Sequence, residues 1–109
     1  MNFDCGAGKK IKTIKAEVIN RHGIHQRPSM LLAELCSKFE DEMIVDCEGK
    51  STGADAKNFL SIISMEAAYG DILTFHLCMD EETAENFTGM LADLKIEYIN
   101  EEFKLFRIV

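Results

Sequence analysis

The sequence predicts an α+β fold, a two-layer open-faced sandwich in which three helices lie on one face of a four-stranded antiparallel sheet. Two observations carry that expectation. Runs in which apolar and polar residues alternate are interleaved with runs whose apolar residues recur at helical spacing, in the order strand, helix, strand, strand, helix, strand, helix. The length of 109 residues also bounds the chain to one domain with a single modest core. Helices gathered on one face of an antiparallel sheet each bury one stripe and leave the other sheet face wet.

The elements follow in order. Residues 1–10 carry no clear periodicity and read as a loose leader. Ile14, Ala16 and Val18 alternate with Lys15 and Glu17, as in a strand with one face on a core. Leu32, Leu35, Cys36 and Phe39 share one face of a helix running through about Phe39, and Pro28 suits its first turn because its φ is fixed and its missing N–H is not needed there. Met43, Val45 and Cys47, alternating with Ile44 and Asp46, give the second strand, punctuated by Glu48-Gly49, and a short third strand takes Lys50 to Thr52. Gly53, Ala54 and Asp55 connect to a shorter helix capped by Asn58, with Phe59, Ile62 and Ile63 as its stripe. Gly70 ends that region. Leu73, Phe75 and Leu77 alternate with Thr74 and an outward His76 in the fourth strand. A third helix spans about Glu81 to Leu94, with Phe87, Met90, Leu91 and Leu94 on one face and Glu81 and Glu82 at its positive end. The main domain is therefore expected at residues 11–95. The extension at 96–109 is too apolar for a solvated tail; it packs on the domain, prolongs the helix, adds a strand or makes a dimer contact, and periodicity does not choose among these.

Composition excludes several classes of function. The formal net charge of −7 argues against general affinity for nucleic-acid phosphates or anionic lipid. Neither a membrane-length apolar run nor a signal-peptide segment is present, so no membrane insertion is expected and the cytoplasm is the default location. Cys36, Cys47 and Cys78 sit in apolar patterns and read as core thiols, whereas Cys5 reads as exposed and oxidation-prone.

The chemistry concentrates in Asn20-Arg21-His22-Gly23-Ile24-His25-Gln26-Arg27-Pro28. His25 falls at or just before the start of the first helix, beside unpaired amides and the positive end of the peptide dipoles, a setting that binds anions. A neutral imidazole can attack phosphorus without a base to deprotonate it first. Arg27 offers a planar fork of donors to the phosphate oxygens, and Gly23 permits close backbone approach or an unusual dihedral. His22 belongs to the turn. No Cys or carboxylate completes a metal-ligand spacing around His22 and His25, and no nucleotide cradle is visible, so neither metal nor cofactor is expected.

From Lys15 to Lys95 the chain resembles the HPr family, the histidine-containing phosphocarriers of the bacterial phosphoenolpyruvate:sugar phosphotransferase system. The likeness rests on Gly23-Ile24-His25-Gln26-Arg27-Pro28, on Ala56-Lys57-Asn58-Phe59-Leu60-Ser61-Ile62-Ile63-Ser64-Met65, and on the element order. It implies that His25 is phosphorylated on Nδ1, that Arg27 steadies the phosphate, and that Gly23, Gln26 and Pro28 shape the helix start. It further implies partners in enzyme I, as donor, and the IIA domains of sugar permeases, as acceptors, docking on Met30, Phe59, Leu60 and Ile63. Such proteins carry a phosphoryl group and are not independent catalysts.

Three departures qualify the likeness. Many relatives carry a serine, phosphorylated by a regulatory kinase, where this chain has Asn58, so that switch is not expected here, nor modification of Ser61 or Ser64 in its stead. Glu34, Ser37 and Ser61 stand where relatives often have basic docking residues, which disfavours partners with acidic patches. The connection before Asn58 is longer than in common relatives, and both termini are extended. The alternative reading is an HPr-like regulatory module whose His25 phosphorylation state controls binding to a regulator or an enzyme.

Overall fold

The computed structural model describes Cys5 and residues 10–109. Most of the expected leader, residues 1–4 and 6–9, lies outside the described residues. The elements are β1 (Ile11–Val18), α1 (Gln26–Cys36), β2 (Met43–Cys47), β3 (Ser51–Asp55), α2 (Phe59–Ser64), β4 (Ile72–Cys78), α3 (Glu81–Asp93), β5 (Lys95–Tyr98), β6 (Glu101–Lys104) and β7 (Phe106–Ile108).

The α+β sandwich forms, with an antiparallel sheet of five strands rather than four, ordered β3-β2-β4-β1-β7. Its register explains the alternation read from sequence. Val45 pairs with Phe75, which pairs with Ile14 across β1, while Cys47, Leu73 and Ala16 form the adjacent row. These side chains point toward the helices and share one core with Leu32, Leu35 and Cys36 of α1, Ile62 of α2, and Phe87 and Leu91 of α3. The neighbouring row faces the other way. There His76 Nε2 lies 2.8 Å from Asp46 Oδ2, and Lys15 pairs with Glu48.

The extra strand comes from the C-terminal segment. β7 pairs with β1 through Val18–Phe106 and Ala16–Ile108, at the edge where a four-stranded sheet would end. Phe106 is buried against Phe75 with ring centroids 6.4 Å apart, and Phe75 contacts Phe87, so the tail's apolar residues complete an aromatic core row. Just before it, β5 and β6 form a separate two-stranded hairpin that turns through Ile99 and Asn100, both with positive φ. Burial of Ile96, Leu105 and Phe106 accounts for part of the apolar composition of this segment, while Ile99, Phe103 and Val109 are exposed.

Several boundaries move. α1 stops at Cys36 instead of Phe39, because Lys38 and Phe39 donate to Leu35 and Cys36 in a tighter turn, yet Phe39 still packs on Phe87. β3 continues to Asp55, since Ala54 and Asp55 pair with Val45 and Ile44; the segment read as a connection is strand. α3 ends at Asp93, with Leu94 already extended.

The cysteine reading needs the largest correction. Cys36 and Cys47 are buried free thiols, but Cys78 is disulfide-bonded to Cys5. Ile11 pairs with Cys78 at the end of β4, and the Cα atoms of Cys5 and Cys78 lie 5.0 Å apart, within bonding reach. A separation of 73 residues leaves no local signature of such a pairing.

Candidate functional site

His25 is the residue immediately before the first residue of α1, with extended backbone and an exposed imidazole that makes no capping hydrogen bond. Its carbonyl accepts the first intrahelical bond, from Ser29 N–H at 2.9 Å. The Gln26 and Arg27 amides precede that bond, and Pro28 has no N–H, so the helix opens with amide donors that no described acceptor engages. Gln26 and Arg27 are exposed, and Pro28 is buried in the first turn. Arg27 has no ion-pair partner among the described residues.

The loop before the helix is held from three sides. Asn20 is buried, accepts a hydrogen bond from Gly23 N–H through its carbonyl, and returns one from Nδ2 to the Gly23 carbonyl at 2.8 Å. Ser29 Oγ donates to the carbonyls of His25 and Ile24, at 2.6 and 3.2 Å. Ile24 N–H donates to the Ala67 carbonyl at 2.8 Å, tying the loop to the segment after α2. Gly23 has φ of +71°, and a Cβ there would lie 2.6 Å from the Ala67 oxygen. Positive φ and close backbone approach thus coincide at this glycine.

The segment opposite His25 has its own anchor. Asp71 Oδ2 accepts from Ala68 N–H at 2.8 Å and pairs with Lys50 Nζ at 2.7 Å. The Ala68 amide first, and Lys50 second, hold the Asp71 carboxyl below the ordinary carboxylate range, and the same pairing raises the Lys50 ammonium. Together these loops form an open groove of about 430 Å3 whose lining includes Arg21, His22, His25, Glu66 and Tyr69.

Helices α1 and α2 carry exposed apolar side chains. Met30, Phe59 and Leu60 are exposed, Leu60 at 61%, while Ile63 is half-buried and Ile62 alone of the α2 stripe is fully in the core. Asn58 caps α2 through Oδ1, which accepts from Leu60 N–H at 2.9 Å. Buried Ala56 precedes it, and Lys57 Nζ donates to the Phe39 carbonyl, tying the start of α2 to the turn that follows α1. Glu34 and Ser37 are exposed.

Sequence reasoning included Asn20 in the key stretch without giving it a role, and passed over Ser29, Ala67 and Asp71. A polar side chain next to a glycine turn is a usable signal for Asn20. The Ala67 carbonyl and the Asp71 carboxylate act through backbone contacts across the fold and have no sequence signal. His22, placed in the turn by sequence, makes edge contacts with both His25 and Tyr98, with ring centroids 6.3 Å apart in each case. Among the described residues no cluster of three His, Cys, Asp or Glu side chains could hold a metal ion. No helix of the described chain is long and apolar enough to cross a membrane.

An open-faced α+β domain with an exposed histidine at a helix start has the architecture of a histidine phosphocarrier. Residues 12–94 match the family described as the PTS HPr component phosphorylation site, and the chain belongs to this HPr family of phosphotransferase-system phosphocarriers. Solved structures agree in fold. The histidine-containing phosphocarrier protein of a Mycoplasma superposes with a TM-score of 0.63 at 19% identity, covering 75% of this chain and 93% of that one. HPr-C-His from Thermoanaerobacter tengcongensis gives 0.57 at 30% identity, covering 75% of this chain and 89% of that one. The phosphocarrier protein HPr from Bacillus anthracis str. Ames gives 0.57 at 22% identity, covering 72% and 94% respectively.

Proposed function

We propose that this chain accepts a phosphoryl group on His25 from phosphorylated enzyme I and passes it to IIA domains of the sugar phosphotransferase system. The observation that carries the reading is the exposed, uncapped His25 imidazole beside the unengaged amides of Gln26 and Arg27. In the transfer, the Nδ1 lone pair forms a bond to phosphorus while the bond from phosphorus to the donor breaks and the donor's leaving atom keeps that electron pair. The phosphate oxygens then face the helix amides, and the Arg27 guanidinium reaches them by rotation of an exposed side chain. Gly23 keeps the loop low against Ala67, and Gln26 and Pro28 open the helix. Met30, Phe59, Leu60 and Ile63 supply an adaptable apolar contact for successive partners. Transfer of this kind takes place in the cytoplasm.

The test is labelling with phosphoenolpyruvate and enzyme I. One acid-labile phosphate per chain is expected, none on His25→Ala, and transfer slowed roughly 10- to 100-fold in Arg27→Ala with its fold retained, the loss of one charge-assisted contact. Labelling of His25→Ala equal to that of the parent chain sinks the assignment.

A second reading is favoured by Glu34, Ser37 and Ser61, which stand where relatives often carry basic docking residues. Here the phosphorylated chain holds a regulatory protein or an enzyme instead of feeding a permease. A carrier discharges its label onto a IIA domain, whereas a module keeps its label and retains its partner. Asn58 cannot take a phosphoryl ester in either case, and its role is confined to capping α2.

A further inference from the structure

Arg21 and His22 line two cavities. One is the groove at His25; the other, of about 300 Å3, is completed by Tyr98, Phe103 and Lys104 of the C-terminal hairpin. These last three residues lie beyond the region shared with the HPr family, which ends at residue 94, so this second cavity is a feature of the chain's own C-terminal segment. We propose that it binds a small organic anion, a flat apolar body bearing one phosphate or carboxylate group.

Three features of the wall select that chemistry. The rings of Tyr98 and Phe103, tilted with centroids 6.1 Å apart, offer apolar surface to a flat body, and the volume gives room for roughly ten non-hydrogen atoms. Arg21 and Lys104 bring two cations to the same opening in a chain of net charge −7, and neither is paired with a carboxylate among the described residues. The Tyr98 hydroxyl is buried and has no hydrogen-bond partner among the described residues, although buried polar atoms are normally paired. That hydroxyl is shielded from the cavity, and a small shift of the rings would let it donate to an anionic group held there.

The location gives such a ligand a route to the phosphoryl site. The His22 ring meets Tyr98 on one side and His25 on the other. A ligand that reorients His22 therefore alters the surroundings of His25, and by linkage a phosphate on His25 changes the ligand's affinity by the same factor.

The experiment is titration of the full, isotopically labelled, unphosphorylated chain with phenyl phosphate, followed by NMR. Saturable shifts are expected at His22, Tyr98 and Phe103, with a Kd of about a millimolar, as befits a ligand of this size. Benzoate is expected to move the same resonances, and inorganic phosphate to bind at least about ten-fold more weakly because it lacks the flat body. Lys104→Ala, a surface change that leaves the core intact, should weaken phenyl phosphate roughly five-fold. The proposal is overturned by absence of saturation at about 10 mM, by affinity that Lys104→Ala leaves unchanged, or by shifts confined to the Gln26 and Arg27 amides with equal affinity for inorganic phosphate. No phosphoryl donor is used, so any of these results leaves the role of His25 to its own labelling test.

Discussion

Replacing Gly23 by alanine tests how the site is held. At φ of +71° an L-residue costs about 1–2 kcal/mol. The new Cβ would also stand 2.6 Å from the Ala67 oxygen and 3.1 Å from the Ala68 Cα, both backbone atoms that no side-chain rotation can clear. Relief requires the loop to lift, stretching the 2.8 Å bond from Ile24 N–H to the Ala67 carbonyl, whose loss is worth about 1 kcal/mol. Strain from the collision adds about 1 kcal/mol or more, and the stiffer unfolded chain returns about 0.4–1 kcal/mol. The net expectation is a loss of roughly 2–4 kcal/mol, which lowers the urea midpoint by about 1–2 M for a domain of this size. Gly49 supplies the control. Its φ is +76°, but a Cβ there meets nothing within 4 Å, so Gly49→Ala should lose no more than about 1.5 kcal/mol. Urea denaturation of both variants measures the difference, and phosphorylation of folded Gly23→Ala by enzyme I should be slower because the start of α1 has moved. If the two variants lose the same stability within about 0.5 kcal/mol, close packing against Ala67 is not what holds the loop.

Other perturbations address separate parts of the structure. Asn58→Ala removes the acceptor for Leu60 N–H and should cost about 1 kcal/mol, read from the thermal midpoint, whereas Asn58→Ser should recover most of it. Alkylation of the air-oxidised, denatured chain should label two cysteines without reductant, Cys36 and Cys47, and all four with it, while labelling of four at the outset would rule out the Cys5–Cys78 bond. Cutting that bond in Cys5→Ser should cost about 2–4 kcal/mol, since it closes a long loop. In the native state Cys36 should resist alkylation at neutral pH, because burial pushes its thiol up to about 12. Asp71 is ionised more readily in the fold than in the unfolded chain, so its contribution is present above the ordinary carboxylate value and is lost as the pH falls through its lowered native value. Acid titration of stability should therefore show a drop below the ordinary carboxylate range, under about pH 4, that Asp71→Asn flattens.

The parts of this molecule that were legible in the sequence are those set by neighbours along the chain. The start of α1 followed from Pro28 and from the first apolar stripe, and His25 stands there, exposed, as its position implied. Asn58 was readable as a cap because capping is a bond between an Asx side chain and an amide two residues on. Strands β1, β2 and β4 showed their buried faces by alternation. Misread boundaries, such as β3 beyond Thr52, lie where Gly53 and Asp55 favour a turn locally and pairing with β2 overrides that preference.

By itself the sequence determined the order of the elements, their core-facing stripes and the chemistry gathered at the start of α1, because periodicity, capping and dihedral preference act within a few residues. Only the tertiary structure decided that β7 would extend the sheet, that Cys5 would meet Cys78, that Gly23 would press against Ala67 and that His22 would stand between His25 and Tyr98. Those outcomes depend on which sheet edge remains unpaired and which surfaces exclude one another once the chain is compact, and residues so far apart in sequence carry no local trace of the contact.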